Sequence, residues 1–353
     1  MFSPKQVSLH LVTWNSKKFL PALFASMEVQ TYKDFSSIVV DNASHDGTRE
    51  WIVEKQPDTC ILRNIRNLGF ARAHNQAISM ALQHWNPTDY ARKYIFVVNP
   101  DIELDITCIQ QLVATMESDM QLAAIGPTLL RAIVSRDTEG EREVERTQII
   151  DSAGLVMSKK RQAYDRGAGE KNDNQYYHAR DVFGLSGACV LFRASALVAA
   201  AIDIGYGPEY FDPDFFAYKE DVDLAWRMKK FGMRAQCNPN AIAWHHRGTP
   251  SAPQANILQI VVARYKKPAH VNRFSTRNQF WLVWKNDEIM NRLRDIFWVV
   301  PYEVGLFFSA CISWSSCVGV YQALGGAVRM YKKRYVISKK TIVFRKEIRK
   351  WFI

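Results

Sequence analysis

No G-x-G-x-x-G follows the first apolar segment of this 353-residue chain, which disfavours a dinucleotide-dependent oxidoreductase. No G-K-[ST] triplet supports a P-loop NTPase. The six cysteines, at 60, 108, 189, 237, 311 and 317, form no C-x-x-C pair, so neither a zinc knuckle nor a redox motif is indicated. A reducing cytoplasm is the simplest setting. Residues 1–6 lack the basic stretch and apolar run of a secretory signal, and Val7–Thr13 reads as a first strand instead. Net positive charge is missing from most of the chain as well. Residues 1–259 carry 28 Lys and Arg against 30 Asp and Glu, whereas residues 260–353 carry 18 against 5, so the formal charge of +11 belongs to the tail. With no basic stripe interleaved with aromatics before residue 260, nucleic acid is not an expected partner. An anionic lipid surface suits the tail better, at on the order of 1 kcal/mol per Lys or Arg near it.

What the chain does have is apolar material, 48% of residues with 12% aromatic, enough for a sizeable core. Val7–Thr13, Ser37–Asp41, Cys60–Arg63, Lys93–Asn99 and Ala123–Pro127 are predicted strands, and Phe19, Leu20, Leu23, Phe24 and Met27 recur at helical spacing between the first two. That alternation predicts an α/β fold with a mostly parallel central sheet and helices on both faces. Residues 131–180 are polar and aperiodic and read as an inserted loop region. A second apolar block opens at Val182, Asp221–Phe231 reads as a helix with an acidic start and a basic end, and Ala241–His246 as a strand. The expected division is a catalytic domain over 1–259 and a helical, aromatic, basic region over 260–353. The first part divides into a nucleotide-binding half (1–130), the insert (131–180) and an acceptor half (181–259).

Val304–Val328 holds no charged residue and is long enough to span a bilayer, yet several serines and glycines dilute it. Trp298, Tyr302, Trp314 and Tyr321 favour an interface, so a helix or hairpin lying in the membrane surface is expected, ahead of a span or a buried helix. Lys332-Lys333-Arg334 and Lys339-Lys340 would then face headgroups.

Three short runs place chemistry at strand and helix ends: Asn99-Pro100-Asp101, Glu220-Asp221-Val222-Asp223 and His245-His246-Arg247-Gly248. Asp101 follows the buried-strand run Tyr94–Val98, at the carboxyl end where open α/β sheets bind ligands. A hard cation holding a diphosphate suits that position. The acids of 220–223 fall within one helical turn, where mutual repulsion and burial raise carboxylate pKa values; they serve equally well as an acidic helix start.

With Val12-Thr13-Trp14-Asn15, Val40–Thr48, Asn67-Leu68-Gly69-Phe70-Ala71 and Tyr210-Phe211-Asp212 added in order, the chain resembles glycosyltransferase family 2, of the GT-A fold. Within that family it looks most like bacterial rhamnosyltransferase-type members, over most of residues 7–250. The resemblance implies inverting transfer of a sugar from a nucleotide-diphosphate donor with a divalent cation, Mg or Mn. It implies that Asp41 accepts from the imide N–H of uracil or thymine, with Thr13, Asn15 and Asn42 around the base and Asn67, Gly69, Asn99 and Asp101 along the rest of the donor. It also implies Asp101 and His245 as metal ligands, Asp221 as general base, and Glu220 and Asp223 as acceptor-positioning acids. Structural roles compete at several of these positions. Asp41 suits an Asx turn, Thr13 and Asn15 suit strand-end caps, and Asn67 and Gly69 suit a loop needing positive φ. Asn99 stands where many relatives carry a first aspartate, which lowers the charge of the site. Glu103 reads as a reserve ligand or a solvated acid, Lys219 as a partner for the 220–223 acids, and Arg277-Asn278 as a contact for acceptor phosphate or a plain surface helix.

These implications add up to a peripheral or monotopic glycosyltransferase on the cytoplasmic face of the inner or plasma membrane. It would use dTDP-rhamnose first and UDP-hexoses next, on a lipid-linked or polysaccharide acceptor in cell-surface polysaccharide or lipopolysaccharide assembly. A catalytically silent sugar-binding or scaffolding protein of the same fold is the alternative. The absence of a Gln-x-x-Arg-Trp run disfavours a processive synthase. The tail from 296 onward is expected to be removable without loss of nucleotide affinity.

Overall fold

The computed structural model describes residues 5–136, 142–177, 181–246 and 268–353. Strand β1 (Val7–Thr13) is buried along nearly its whole length, and its two inner polar side chains, Ser8 and His10, satisfy each other at 2.9 Å. Val7, Leu9 and Leu11 join the apolar layer under helices α1 (Leu20–Glu28) and α4 (Cys108–Ser118). On the other face, Ile38 and Val40 of β2 (Phe35–Asp41) and Ile95 and Val97 of β4 (Tyr94–Val98) pack with the alanines of α3 (Gly69–His84). Each such aliphatic side chain contributes on the order of 1.5–3 kcal/mol by its removal from water. Helix α2 (Thr48–Lys55) links β2 to β3 (Cys60–Arg63).

The sheet order is β3-β2-β1-β4-β10-β6-β11-β5, with β7 paired to β6. The remaining strands are β5 (Ile102–Leu104), β6 (Leu122–Arg136), β7 (Arg142–Ser152), β10 (Cys189–Arg193) and β11 (Arg234–His245). Pairing is parallel from β3 to β4 and between β6 and β11. It is antiparallel where β10 inserts between β4 and β6, and where β5 and β7 add on. The sheet is therefore mixed. Strand β10 enters from the edge where β1, β2 and β4 end, so the beginning of β10 meets the end of β4, with Cys189 opposite Val98.

Residues 131–180 are more regular than the expected loop region. Strand β6 continues to Arg136 and pairs with β7, and β8 (Leu155–Met157) pairs with β9 (Ala163–Asp165). Their polar residues had hidden the strands, because β7 adds on as a branch beside β6 and needs no continuous apolar run.

Helices α5 (Ala194–Ala200) and α6 (Glu220–Lys230) lie between β10 and β11 in the chain. The tail folds as α7 (Ala269–Asn286), α8 (Ile289–Arg294), α9 (Ile296–Ile312), α10 (Trp314–Lys340) and α11 (Arg345–Arg349), and it is no detachable appendage. Lys285 of α7 reaches both Asp212 and Asp223, the latter at 2.7 Å. Lys333 of α10 reaches Asp212, and Asp214 and Glu209 at 2.8 Å each. Both lysines are fully buried. Lys333 is thus no headgroup contact, and Arg334 donates to the Trp284 carbonyl.

The charge-free run 304–328 is broken at Ser313, so it forms parts of two helices. No described helix is long and apolar enough to cross a membrane. Helix α10 carries two stripes. Ser316, Gly319, Ala323, Gly326, Met330, Lys333 and Ile337 face inward, where a Cβ on Gly319 would sit 2.6 Å from the Arg273 carbonyl of α7 and one on Gly326 2.5 Å from Trp281. The small residues that diluted hydropathy serve close helix packing.

Candidate active site

The carboxyl ends of β1 and β2 lie in register, Thr13 opposite Asp41. The Thr13 hydroxyl donates to Asp41 Oδ1 at 3.2 Å, and the Ser44 N–H donates to Oδ2 at 3.3 Å. Asp41 is buried at the base of the loop that follows. Asn15, in the left-handed region at φ 53°, uses its side-chain Oδ1 to accept from the His45 N–H, which ties the loop after β1 to the loop after β2. Asn42 braces this loop against the start of α3. Its amide donates to the Gly69 carbonyl at 3.2 Å, and its oxygen accepts from Asn64 at 2.8 Å. Asn67 accepts from the Gly69 N–H and shapes the start of α3. Asn75, on that helix, bonds both backbone groups of Phe211.

Asn99 and Asp101 occupy the turn between β4 and β5, where the Asn99 N–H donates to the Ala188 carbonyl at 2.8 Å. The Asp101 carbonyl accepts from the His246 N–H, which brings the end of β11 beside it. His245 Nδ1 lies 2.9 Å from Asp151 Oδ2, and the opposite nitrogen, Nε2, faces Asp101 Oδ2 at 3.4 Å. Burial opposes the imidazolium, but the Asp101 and Asp151 carboxylates outweigh it and hold the His245 pKa up to about 9. A cation here would have to displace the proton from His245 Nε2; the Asp101 carboxylate with that imidazole, its far nitrogen fixed by Asp151, would then make a donor set better suited to Mn than to Mg. No group of three or more His, Cys, Asp or Glu able to hold a metal gathers among the described residues, so a cation here needs further oxygens from its ligand. Gly248 lies outside the described residues.

The third part of the site is the start of α6. Asp221 Oδ2 accepts from the Gly187 N–H at 2.9 Å, and Oδ1 accepts from the Val222 N–H at 2.7 Å. A Cβ on Gly187 would stand 3.3 Å from that of Asp221, so the glycine permits the approach. Gly187 and Ala188 are consecutive, and through them Asp221 is tied to the Asn99-Pro100-Asp101 turn. Burial raises the Asp221 pKa, the two N–H donors pull it back, and the carboxylate of Asp165 adds to the rise. Glu220 is buried, and burial followed by the Asp221 charge pushes its pKa up to about 8. Its Oε2 finds no hydrogen-bond partner among the described residues.

Several expected roles shift. Asp223, read as acceptor-positioning, is buried and satisfied by Arg227, Lys285 and Asn286, so its carboxylate serves the junction with α7. Glu103 is neither ligand nor solvated: His246 and Arg146 pair with it in a buried position. Lys219 bonds Gln279 of α7. Arg277 and Asn278 point into the protein, onto carbonyls of the segment before α6. Asp151 and Asp165 went unnoticed because they lie in a polar stretch without a motif, and only the pairing of β6 with both β7 and β11 carries Asp151 to His245.

The family profile described as glycosyl transferase family 2 matches residues 8–197. An N-acetylglucosaminyl-diphospho-decaprenol L-rhamnosyltransferase of Mycobacterium tuberculosis is 27% identical over 251 residues, covering 67% of this chain and 74% of that protein. A solved structure of GalNAc-T7 with UDP, GalNAc and Mn2+ superposes with a TM-score of 0.51 at 12% identity. That superposition covers 83% of this chain and 54% of the other, and it agrees with the GT-A fold.

Proposed function

The chain belongs to glycosyl transferase family 2, and from that premise we propose that it is a metal-dependent, inverting rhamnosyltransferase-type enzyme acting on a lipid-linked acceptor. The carrying observation is convergence beside the carboxyl ends of interior strands. The Asp101–His245 pair and Asp221 are tied together through the consecutive residues Gly187 and Ala188. The relative from Mycobacterium tuberculosis favours rhamnose as the sugar and a polyprenyl-diphosphate acceptor. Asp41, at the base of the donor side, suits the imide N–H shared by thymine and uracil, so dTDP-rhamnose comes first and UDP-hexoses next.

Asp221 is the group to take the proton as the acceptor oxygen attacks the anomeric carbon and the bond to the diphosphate breaks. Its raised pKa makes it a better base than an ordinary carboxylate while two N–H donors fix its orientation. Glu220, protonated near neutral pH, adds no second negative charge beside it and offers a hydroxyl donor. Asp101 and His245 would hold the cation together with donor oxygens. Such a cation supplies positive charge against the leaving diphosphate.

The outer stripe of α10 is the surface for the bilayer. Trp314, Tyr321, Leu324, Val328, Tyr331 and Tyr335 recur at helical spacing and are exposed, Trp314 at 83%. Phe307 and Phe308 of α9 are exposed as well, and Lys332, Lys339, Arg345 and Lys346 lie exposed near the stripe in sequence. Aromatic contact with basic flanks fits an anionic cytoplasmic leaflet, where a polyprenyl-linked acceptor would reside.

The test is a nucleotide-sugar panel with Mg or Mn against a polyprenyl-diphosphate sugar. Cation-dependent transfer from dTDP-rhamnose, abolished in Asp221→Asn with nucleotide binding retained, supports the reading. A protein indifferent to Asp221→Asn is the silent scaffold.

A further inference from the structure

The segment that delivers Asp221 is held by a residue from the tail. Between Phe211 and α6 the backbone enters the left-handed region three times, at Phe216 (φ 64°), Tyr218 (φ 71°) and Lys219 (φ 72°), without a glycine. Such a turn persists only when its surroundings over-determine it. Asn278 of α7, fully buried, brings its amide nitrogen to 3.0 Å from the Phe215 carbonyl, 2.8 Å from that of Ala217 and 2.7 Å from that of Tyr218. Arg277 donates to the Asp214 and Phe215 carbonyls at 3.0 and 2.8 Å, and its Nε donates to Asn278 Oδ1, fixing which way the amide faces.

On its opposite side the same turn meets the donor half. The Phe216 carbonyl accepts from the Phe70 N–H at 2.7 Å, and a Cβ on Gly69 would sit 2.4 Å from that oxygen. The turn is therefore clamped between α3, which follows the donor loop, and α7. One residue after Lys219 and Glu220 comes Asp221.

We propose that Asn278 is a positioning residue for Asp221, its amide holding the 215–219 turn against the donor half so that the carboxylate stands at a fixed place relative to the bound sugar. This rests on the glycosyltransferase reading. Asn278 belongs to α7, so on this reading the tail contributes to the geometry of the site as well as to the fold. A misplacement of about 1 Å at a reacting group is enough to cost on the order of 100-fold in rate.

Asn278→Ala and Asn278→Asp each remove the donor, and three readouts test the hold. Hydrogen exchange of the 214–223 backbone needs no sugar and is expected to quicken in both variants. Nucleotide affinity is expected within about threefold of the parent while single-turnover transfer falls 10- to 100-fold, a split that general destabilisation does not produce. Should the alanine variant fail to fold, Asn278→Ser, which keeps one donor, carries the same readouts with an intermediate loss. Unchanged exchange, or transfer and nucleotide affinity falling together with the folded fraction, overturns the proposal. A parent protein that transfers no sugar from any donor, with exchange still quickened in the variants, overturns the enzyme reading and leaves the clamp standing.

Discussion

Asp151 holds the His245 ring through Nδ1 at 2.9 Å, and this contact is what turns the opposite nitrogen toward Asp101. Outer carboxylates of this kind fix the tautomer and orientation of a ligating histidine, and their loss typically lowers metal affinity 10- to 100-fold. Asp151→Asn should therefore weaken Mn binding in the presence of nucleotide diphosphate by about that factor, measured by calorimetric titration. Unchanged affinity would remove His245 from the proposed ligand set.

Gly69 has φ +82°, and no side chain fits above it because the Phe216 carbonyl is 2.4 Å from where a Cβ would stand. Gly69→Ala should cost at least ~1–2 kcal/mol from the backbone conformation alone. Displacement of the 215–219 turn should depress transfer more than the fall in melting temperature explains. A variant with parental turnover would show that the contact between turn and donor half has no bearing on rate.

Strand positions were legible from the unbroken apolar run of β4 and from the aliphatic residues of β1 and β2, although β1 also buries Ser8 and His10 among them. The placement of Asp41 and Asp101 at the carboxyl ends of interior strands followed from those strands. Asp223 was misread because an acid one helical turn from others looks the same whether its partner is water or a lysine 62 residues away. Lys333 sits in a basic triplet that resembles a solvated face, yet its carboxylate partners lie more than 100 residues earlier. Local pattern reports which residues can ionise, and only the fold reports which of those charges are buried and paired.

That burial ties the tail into the folded body, against the expectation that removing residues 296–353 leaves nucleotide affinity largely intact. Lys333 neutralises a cluster in which Asp212 is fully buried, and unpairing such a cluster costs about 3–5 kcal/mol. Lys333→Met should lower stability by that order, and a chain ending at residue 295 should lose its cooperative unfolding transition. A truncated protein that binds nucleotide with parental affinity would contradict this assignment.

Glu220 makes stability depend on pH. Its folded pKa, about 8, lies above the ordinary value of 4.5, so the folded state binds the extra proton. The contribution is fully present below pH 4.5 and is lost as pH rises through 8, amounting to roughly a few kcal/mol across that window. Glu220→Gln cannot ionise, so its melting temperature should decline less than the parent's between pH 6 and 9, and its activity should persist further on the alkaline side. Parallel melting curves for the two proteins across that range would refute a protonated Glu220.

The outer stripe of α10 separates membrane contact from folding, because its side chains face away from α7. Trp314 and Tyr321 are 83% and 78% exposed, and replacing them removes almost nothing from the core. Changing Phe307, Phe308 and Trp314 together to serine should leave melting and nucleotide affinity near parental values while reducing partition onto vesicles containing anionic lipid by tenfold or more. Binding of the parent should also weaken as salt rises, since the exposed Lys332, Lys339, Arg345 and Lys346 act through a screened potential. The two dependences carry different information. Serine changes that leave partition intact while salt abolishes it would mean that the tail meets the bilayer by charge alone. Partition insensitive to both would mean that the aromatic stripe faces something other than lipid.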